Sequence, residues 1–331
     1  MYKRQSADFS VLRAKFSGEV SASVYTRDLR SEEVDLDTLG APGFVDKLYN
    51  FRYSTRVDYA WRARVSVPVP RGSVSGSYVY VGPGYTSLGL ATNHNDRVEY
   101  RISGRVRPSG MLSLSCSFGK RRDNLIGDKL GTTTNRNISL AAQVSPSSAF
   151  NVSLSYLFNR HRRKAPSDTS DAKVQVVGAS TVFTFEVGGV HHSVRPAFSY
   201  QDVQDGVRRR SSGTKGFDLS YTGRITPYIS TSAGFSRTES DAGAVSLTSY
   251  GGGVTYRALA GKVPISLNLS YIPSSRGSTL RARLGGSYRI PKAGSVRFGV
   301  GMTKFSGGAT YPSYKEFTAN LSYSGRFSTG I

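Results

Sequence analysis

The chain has 331 residues, with 44 Lys and Arg against 22 Asp and Glu, a net charge of +22, 36 glycines and one cysteine. A single cysteine excludes an intrachain disulfide framework, and no run reaches the roughly eighteen apolar residues of a membrane helix. The arginines recur at alternate positions rather than in one compact patch, which argues against a nucleic-acid surface.

Met1-Tyr2-Lys3-Arg4-Gln5 reads as the translation of a sequencing-library transposon end (GTG TAT AAG AGA CAG), so residues 1–5 are expected to be non-native and the protein proper to start at Ser6. Alternation of apolar and polar residues then predicts strands near 8–16, 19–27, 49–69, 73–81, 96–107, 111–119, 135–145, 149–159 and 173–187. It continues near 190–201, 215–225, 228–238, 246–258, 263–272, 279–290, 294–305 and 316–327, about seventeen strands in all.

The third of these carries the clearest pattern. Its odd positions include Val57, Tyr59, Trp61, Ala63, Val65, Val67 and Val69, and its even positions include Arg52, Ser54, Arg56, Asp58, Arg62 and Arg64. Successive strand residues face opposite sides, so period two means one apolar environment and one polar one. Later strands repeat it, as in Phe150, Val152, Leu154, Tyr156 and Phe158.

Tight turns are expected at Ser17-Gly18, Arg71-Gly72, Pro108-Ser109-Gly110, Pro146-Ser147-Ser148, Gly188-Gly189, Thr226-Pro227, Ala260-Gly261-Lys262 and Pro291-Lys292-Ala293-Gly294. Longer polar loops are expected near 28–48, 82–95, 120–134, 160–172, 202–214, 239–245, 273–278 and 306–315. The fold class is therefore all-β: an antiparallel transmembrane β-barrel built as a meander of hairpins. A first strand running toward the short turns, and the even strand number of bacterial barrels, predict at least eighteen strands when complete. Residues 6–331 read as one barrel domain, truncated at its start. The aromatic end Leu321, Tyr323 and Phe327 is followed by Ser328-Thr329-Gly330-Ile331, which suggests truncation there too.

No nucleophile, base and orienting group assemble into a catalytic signature, so no enzyme and no cofactor are expected. His191-His192 puts one imidazole on each face of a strand, which is poor geometry for a shared metal. Gly251-Gly252-Gly253 lies inside an alternating strand with no helix after it, which fits wall curvature rather than a phosphate loop. Cys116 falls on the apolar register with Leu112, Leu114 and Phe118 and reads as a small hydrophobe.

The polar register carries the functional signal. On it lie Arg52, Arg56, Arg62, Arg64, Arg97, Arg101, Arg105, Arg107, Arg195, Arg224, Arg257, Arg281, Arg283, Arg289, Arg297 and Arg326, opposed only by Asp58, Glu99, Glu186 and Asp218. Charge on a lipid face costs about 2–4 kcal/mol per residue at midplane, so this register is expected inside. Eleven are expected to line a pore: Arg52, Arg56, Arg62, Arg64, Arg101, Arg105, Arg107, Arg281, Arg283, Arg289 and Arg297. Arginine rings favour anions. The runs Lys120-Arg121-Arg122, Arg160-His161-Arg162-Arg163-Lys164 and Arg208-Arg209-Arg210 are expected on outer loops, where they meet lipopolysaccharide phosphates. Tyr49, Tyr80, Tyr100, Phe118, Phe158, Tyr200 and Tyr271 fit interfacial girdles.

The hairpin grammar of Arg107-Pro108-Ser109-Gly110-Met111-Leu112-Ser113-Leu114-Ser115, a strand, a Pro-containing turn and an alternating strand, resembles the large bacterial outer-membrane β-barrels of porin or conduit-sheath type. The resemblance implies residence in the outer membrane, insertion by the barrel-assembly machinery and contact with lipopolysaccharide. The expected function is a basic, water-filled channel for anionic or polar solutes. The alternatives are a sheath or export channel around a multihaem cytochrome or an exopolysaccharide, and the barrel part of a TonB-dependent receptor.

Overall fold

The computed structural model describes residues 2–11, 13–34, 51–86, 95–241, 245–290, 294–308 and 311–325. Seventeen strands follow one another as β1 (Tyr2–Val11), β2 (Ala14–Thr26), β3 (Thr55–Val69), β4 (Gly72–Val81), β5 (Arg97–Val106), β6 (Leu112–Asp123), β7 (Thr132–Ser147), β8 (Phe150–Lys164) and β9 (Ser170–Val187). Then come β10 (Val190–Asp205), β11 (Arg210–Arg224), β12 (Ile229–Ser240), β13 (Val245–Ala258), β14 (Val263–Ser274), β15 (Gly277–Ile290), β16 (Gly294–Gly307) and β17 (Tyr314–Ser324). Each pairs antiparallel with the next, from β1–β2 to β16–β17. Strands β1 and β17 both run toward the short-turn side, and among the described residues they are not paired with each other.

The register sorts the chain into two faces. Directly opposed residues share a face, and the row Phe9, Phe16, Val65, Gly76, Ile102, Phe118, Ile138, Phe158 is continuous across β1 to β8. Large apolar side chains on this face stay open, such as Leu154 at 51% and Leu269 at 50%, and the single buried hydrophobic among the described residues is Tyr85. The wall thus turns its apolar side outward to lipid and keeps no packed core between layers. Aromatics stack on this face: Trp61 with Tyr78 at 4.6 Å, Tyr59 with Tyr80 at 5.4 Å, Tyr78 with Tyr100 at 6.2 Å and Tyr250 with Tyr271 at 6.5 Å.

That same row measures the tilt of the strands. It continues through Gln175 and Asp202 to Gly213. It starts two residues from the turn end of β1 and finishes eleven from the turn end of β11. At ~3.3 Å per residue and ~4.8 Å per strand it climbs about 30 Å while crossing about 48 Å, a tilt of roughly 32°. Membrane barrels tilt by roughly 35–45°. The row also changes from phenylalanine and isoleucine to glutamine and aspartate as it rises.

Several expected boundaries move. The first turn lies between the paired residues Val11 and Ala14, where Arg13 takes φ +72°, rather than at Ser17-Gly18. Gly18 sits inside β2, and the shifted turn lets Phe9 stack on Phe16 at 5.1 Å. Pro146 belongs to the end of β7, beside a register shift between Val144 and Ser147, and the turn is Ser148–Ala149. Gly188 and Gly189 do form the expected hairpin, with φ of +60° and +76°. The turn Pro291-Lys292-Ala293, together with Tyr49, Arg326, Phe327 and the tail 328–331, lies outside the described residues.

The loop side differs most. Strands run on past the apolar band, so the loop expected at 273–278 is the two-residue turn Ser275–Arg276, and that at 202–214 shrinks to 206–209. In the latter, Asp205 accepts the backbone N–H groups of Val207 and Arg208, which hold its carboxyl below the usual range. Lys120–Arg122 and Arg160–Lys164 are strand residues, not loops. Alternation fades where both faces meet water, but backbone pairing continues there, so the sequence pattern ends before the strand does.

A candidate channel wall

The second face is mainly polar, with Val79, Leu157 and Val176 among its apolar exceptions. Serine hydroxyls bridge neighbouring strands: Ser75 with Ser103 at 2.8 Å, Ser117 with Ser139 at 2.7 Å, Ser236 with Ser249 at 2.6 Å and Ser295 with Ser324 at 3.0 Å. Against this neutral lining the arginines supply the fixed charge, and they fall into two groups.

The first group lies on β3, β5 and β6. Opposed residues form the row Glu19, Arg62, Val79, Glu99, Arg121 and, beside it, Ser17, Arg64, Ser77, Arg101. Arg101 and Glu99 are 3.6 Å apart, and Arg105 Nε donates to Ser113 Oγ at 3.5 Å. Arg97 shares the face, its Nε buried and without a hydrogen-bond partner among the described residues. Arg56 opposes Tyr25 near the loop end. The structure adds Arg121 to the expected set, since the middle residue of its basic run points opposite to its neighbours.

The second group lies on β15 and β16. Arg281 sits between Ser270 and Thr303, Arg283 between Asn268 and Gly301, Arg289 opposite Ser295, and Arg297 between Ser287 and Ser322. A groove of about 670 Å³ runs past Arg283 and Arg297 over Gly285, Gly299 and Gly301, rimmed by Ser266, Thr318 and Asn320. None of the four arginines has a carboxylate partner among the described residues. Arg195, Arg224 and Arg257 lie on this same polar face, on β10, β11 and β13.

Two expected wall residues are elsewhere. Arg52 clasps the long loop before β3: it donates to Leu29 O, to Ser31 O at 2.8 Å and to Glu33 Oε1 at 2.9 Å. The strand expected at 49–69 begins at Thr55, because Arg52 pairs only with Glu33 in an isolated bridge. Arg107 follows the end of β5 at the short-turn rim, where its N–H donates to Arg71 O at 2.8 Å. His191 and His192 do separate: His191 meets Glu186 at 3.3 Å, and His192 meets Tyr221 OH at 2.8 Å on the outward face. Cys116 is exposed on the outward face as expected.

A loop segment overlies the polar face beside the first group. After β4 the chain turns at Gly82, and Gly84 N–H donates to Asp58 Oδ2 at 2.6 Å. Tyr85 OH donates to Ser21 Oγ at 3.0 Å, and Thr86 N–H to Ser23 Oγ at 3.0 Å. Ser21 and Ser23 are covered to 5% and 2% exposure. A side chain at Gly82 would collide with the Asp58 carboxylate. The far end of the same loop is knotted to the next one: Asp96, 2% exposed, accepts Leu125 N–H at 2.7 Å and faces Lys129 Nζ at 3.0 Å. Asn124 Nδ2 donates to Lys129 O at 2.9 Å, and its Oδ1 accepts Lys129 N–H at 3.0 Å. Sequence reasoning missed this tether; its one signal was Asp58, a lone acid in an arginine-rich register.

The knot gives a direct test. Asp96 has φ +58°, a conformation glycine adopts without cost, so Asp96→Gly removes the carboxylate alone. Losing its hydrogen bonds costs about 1–2 kcal/mol locally. Limited proteolysis of the folded protein then cleaves residues 124–131 roughly tenfold faster than in the parent.

The chain matches no protein-family model and no curated protein sequence. Solved structures do resemble it. The siderophore receptor PirA of Pseudomonas aeruginosa aligns with TM-score 0.51 and 10% identity over 75% of this chain and 52% of its own. The alcaligin outer-membrane receptor FauA of Bordetella pertussis gives 0.51 and 15% over 97% and 63%. OpdK of Pseudomonas aeruginosa, solved with vanillate, gives 0.50 and 9% over 97% and 91%. The chain thus spans about half of the first receptor and under two thirds of the second. Its architecture is that of the bacterial outer-membrane β-barrels.

Proposed function

We propose that this protein is an outer-membrane channel that favours anionic or polar solutes. The observation that carries the reading is the second arginine group: Arg281, Arg283, Arg289 and Arg297 share a polar face with serine, threonine, asparagine and glycine, and with no carboxylate partner among the described residues. Unpaired guanidinium groups in a dry lumen would be strongly destabilising, so the reading requires water and mobile anions beside them. Rings of arginine favour anion passage.

The test is the reversal potential of the reconstituted protein in a planar bilayer under a potassium chloride gradient. The expected sign is that of chloride selectivity. One charge about 10 Å from a permeating ion contributes about 0.4 kcal/mol in a water-like dielectric. With screening, removing four changes the anion and cation terms by about 0.6 kcal/mol each in opposite directions, which lowers the anion-to-cation permeability ratio by roughly eightfold. Arg281→Gln, Arg283→Gln, Arg289→Gln and Arg297→Gln combined should show that fall. Cation selectivity in the parent, or no conductance by verified folded protein, overturns the reading; a plugged receptor or a filled sheath gives the latter.

A further inference from the structure

We infer that the outward face of β6 to β8 holds a binding site for a phosphorylated lipid headgroup of the outer leaflet, of the lipid A type. The residues come from the two basic runs that the fold places on strands. Alternation sends Lys120 and Arg122 of β6, and Arg160, Arg162 and Lys164 of β8, to the lipid-facing side, where Arg136 of β7 joins them.

Register makes the arrangement costly without an anion. Lys120 opposes Arg136, Arg136 opposes Arg160, and Arg160 opposes Lys173, a lateral row of four cations. Like charges directly opposed across strands destabilise a sheet. One step further from the membrane, Arg122 and Arg162 flank Thr134, and Lys164 opposes Thr132. Among the described residues Asp171 is the one carboxylate in contact; it opposes Arg162 in register and is bound by Arg160, with Nε and Nη2 at 2.8 and 2.5 Å. Lys120 lies 5.6 Å over the Tyr100 ring. Arg122, Arg136, Arg162 and Lys164 form no ion pair with any described residue, and a depression of about 320 Å³ lies among them.

Depth selects the occupant. The row just beneath the four cations is Phe118, Ile138, Phe158 and Gln175, apolar under Lys120, Arg136 and Arg160. From Phe150 to Phe158 the outward face of β8 is apolar over eight residue steps, about 26 Å along the strand and roughly 22 Å vertically at the observed tilt. That matches the apolar band of a membrane barrel, about 25 Å tall. The cations therefore begin at headgroup level on the loop side. Arginine forks bind phosphate in pairs of hydrogen bonds. Elsewhere on the outward loop side of the described strands charge is sparser: Lys304 opposes Lys315 alone, Lys215 opposes Glu239, and Arg237 meets Glu239 at 2.6 Å. The cluster is a local feature of the wall and not a uniform belt.

The experiment is native mass spectrometry of the full chain, folded in lipopolysaccharide-free detergent and titrated with bisphosphorylated lipid A. Heat-modifiable gel mobility verifies folding of every variant. The parent is expected to retain lipid A. The combination Arg122→Gln, Arg136→Gln, Arg162→Gln and Lys164→Gln, all at exposed positions, should weaken binding by about tenfold or more. Lys215→Gln, Lys304→Gln and Lys315→Gln together should leave it unchanged. Dephosphorylated lipid A should bind parent and cluster variant alike. Four outcomes overturn the site: no lipid A on the parent, equal binding by the cluster variant, an equal loss in the control variant, or displacement by inorganic phosphate at concentrations matching the lipid.

Discussion

Leu154→Arg prevents stable assembly of the barrel, whereas Ser155→Arg, one residue further along β8, leaves it folded. Leu154 is at the centre of the apolar stretch Phe150–Phe158, opposed by Ala142 and Ala179 on the outward face and half open to lipid. An arginine there costs about 2–4 kcal/mol at the bilayer midplane, a large part of the 5–15 kcal/mol that holds a typical protein folded. Ser155 points the other way, between Ala141 and Gly178, where a long cationic side chain extends into the polar interior. The check is the fraction of each variant that migrates as a folded barrel in unheated gels after refolding into vesicles. Equal folding of the two would mean that the face assignment, and with it the whole inside–outside reading, is wrong.

Asp58→Ala with Tyr85→Ala detaches the loop segment that overlies the polar face. Asp58 accepts Gly84 N–H at 2.6 Å and Tyr59 N–H at 2.7 Å, and a hydrogen bond to a charged group is worth about 1.5–3 kcal/mol. Tyr85 adds its buried ring, about 2 kcal/mol, and its bond to Ser21. Together about 4 kcal/mol holds the segment in place, so the double variant shifts it from almost wholly docked to largely free. A cysteine at Ser23, in a Cys116→Ser background, reads this out without reference to transport. It resists maleimide labelling with the loop intact and reacts at least a hundredfold faster in the double variant. If the proposed channel reading holds, unitary conductance rises as well. Unchanged labelling would show that the segment is held by contacts other than these.

How much of this was legible in the sequence depends on what each residue touches. Period-two alternation revealed both faces of β3 and β8 because lipid on one side and water on the other impose opposite chemistry on neighbours. The same contrast vanishes above the membrane, so Arg160–Lys164 read as loop although their backbone continues the ladder. Arg52 misled because its alternation phase fits β3, while its guanidinium is spent on the carbonyls of Leu29 and Ser31. Ser17-Gly18 has the composition of a turn, yet the register that stacks Phe9 on Phe16 sets the turn before Ala14. The contacts of Asp58, Tyr85 and Asp96 join segments far apart in sequence, and no local pattern announces them.

The climb of the row from Phe9 to Gly213 has a geometric consequence. Seventeen strands spaced by ~4.8 Å and tilted by roughly 32° make a wall with a perimeter of about 95 Å, hence a diameter near 30 Å if curled into a cylinder. Side chains from the wall fill the interior of an eight-stranded barrel but do not meet across one of this girth. The middle of the cylinder is therefore beyond the reach of Arg62 or Arg283, and whatever travels along the axis feels the wall as a distant field unless a strand-free segment, such as the one anchored by Tyr85, brings chemistry inward.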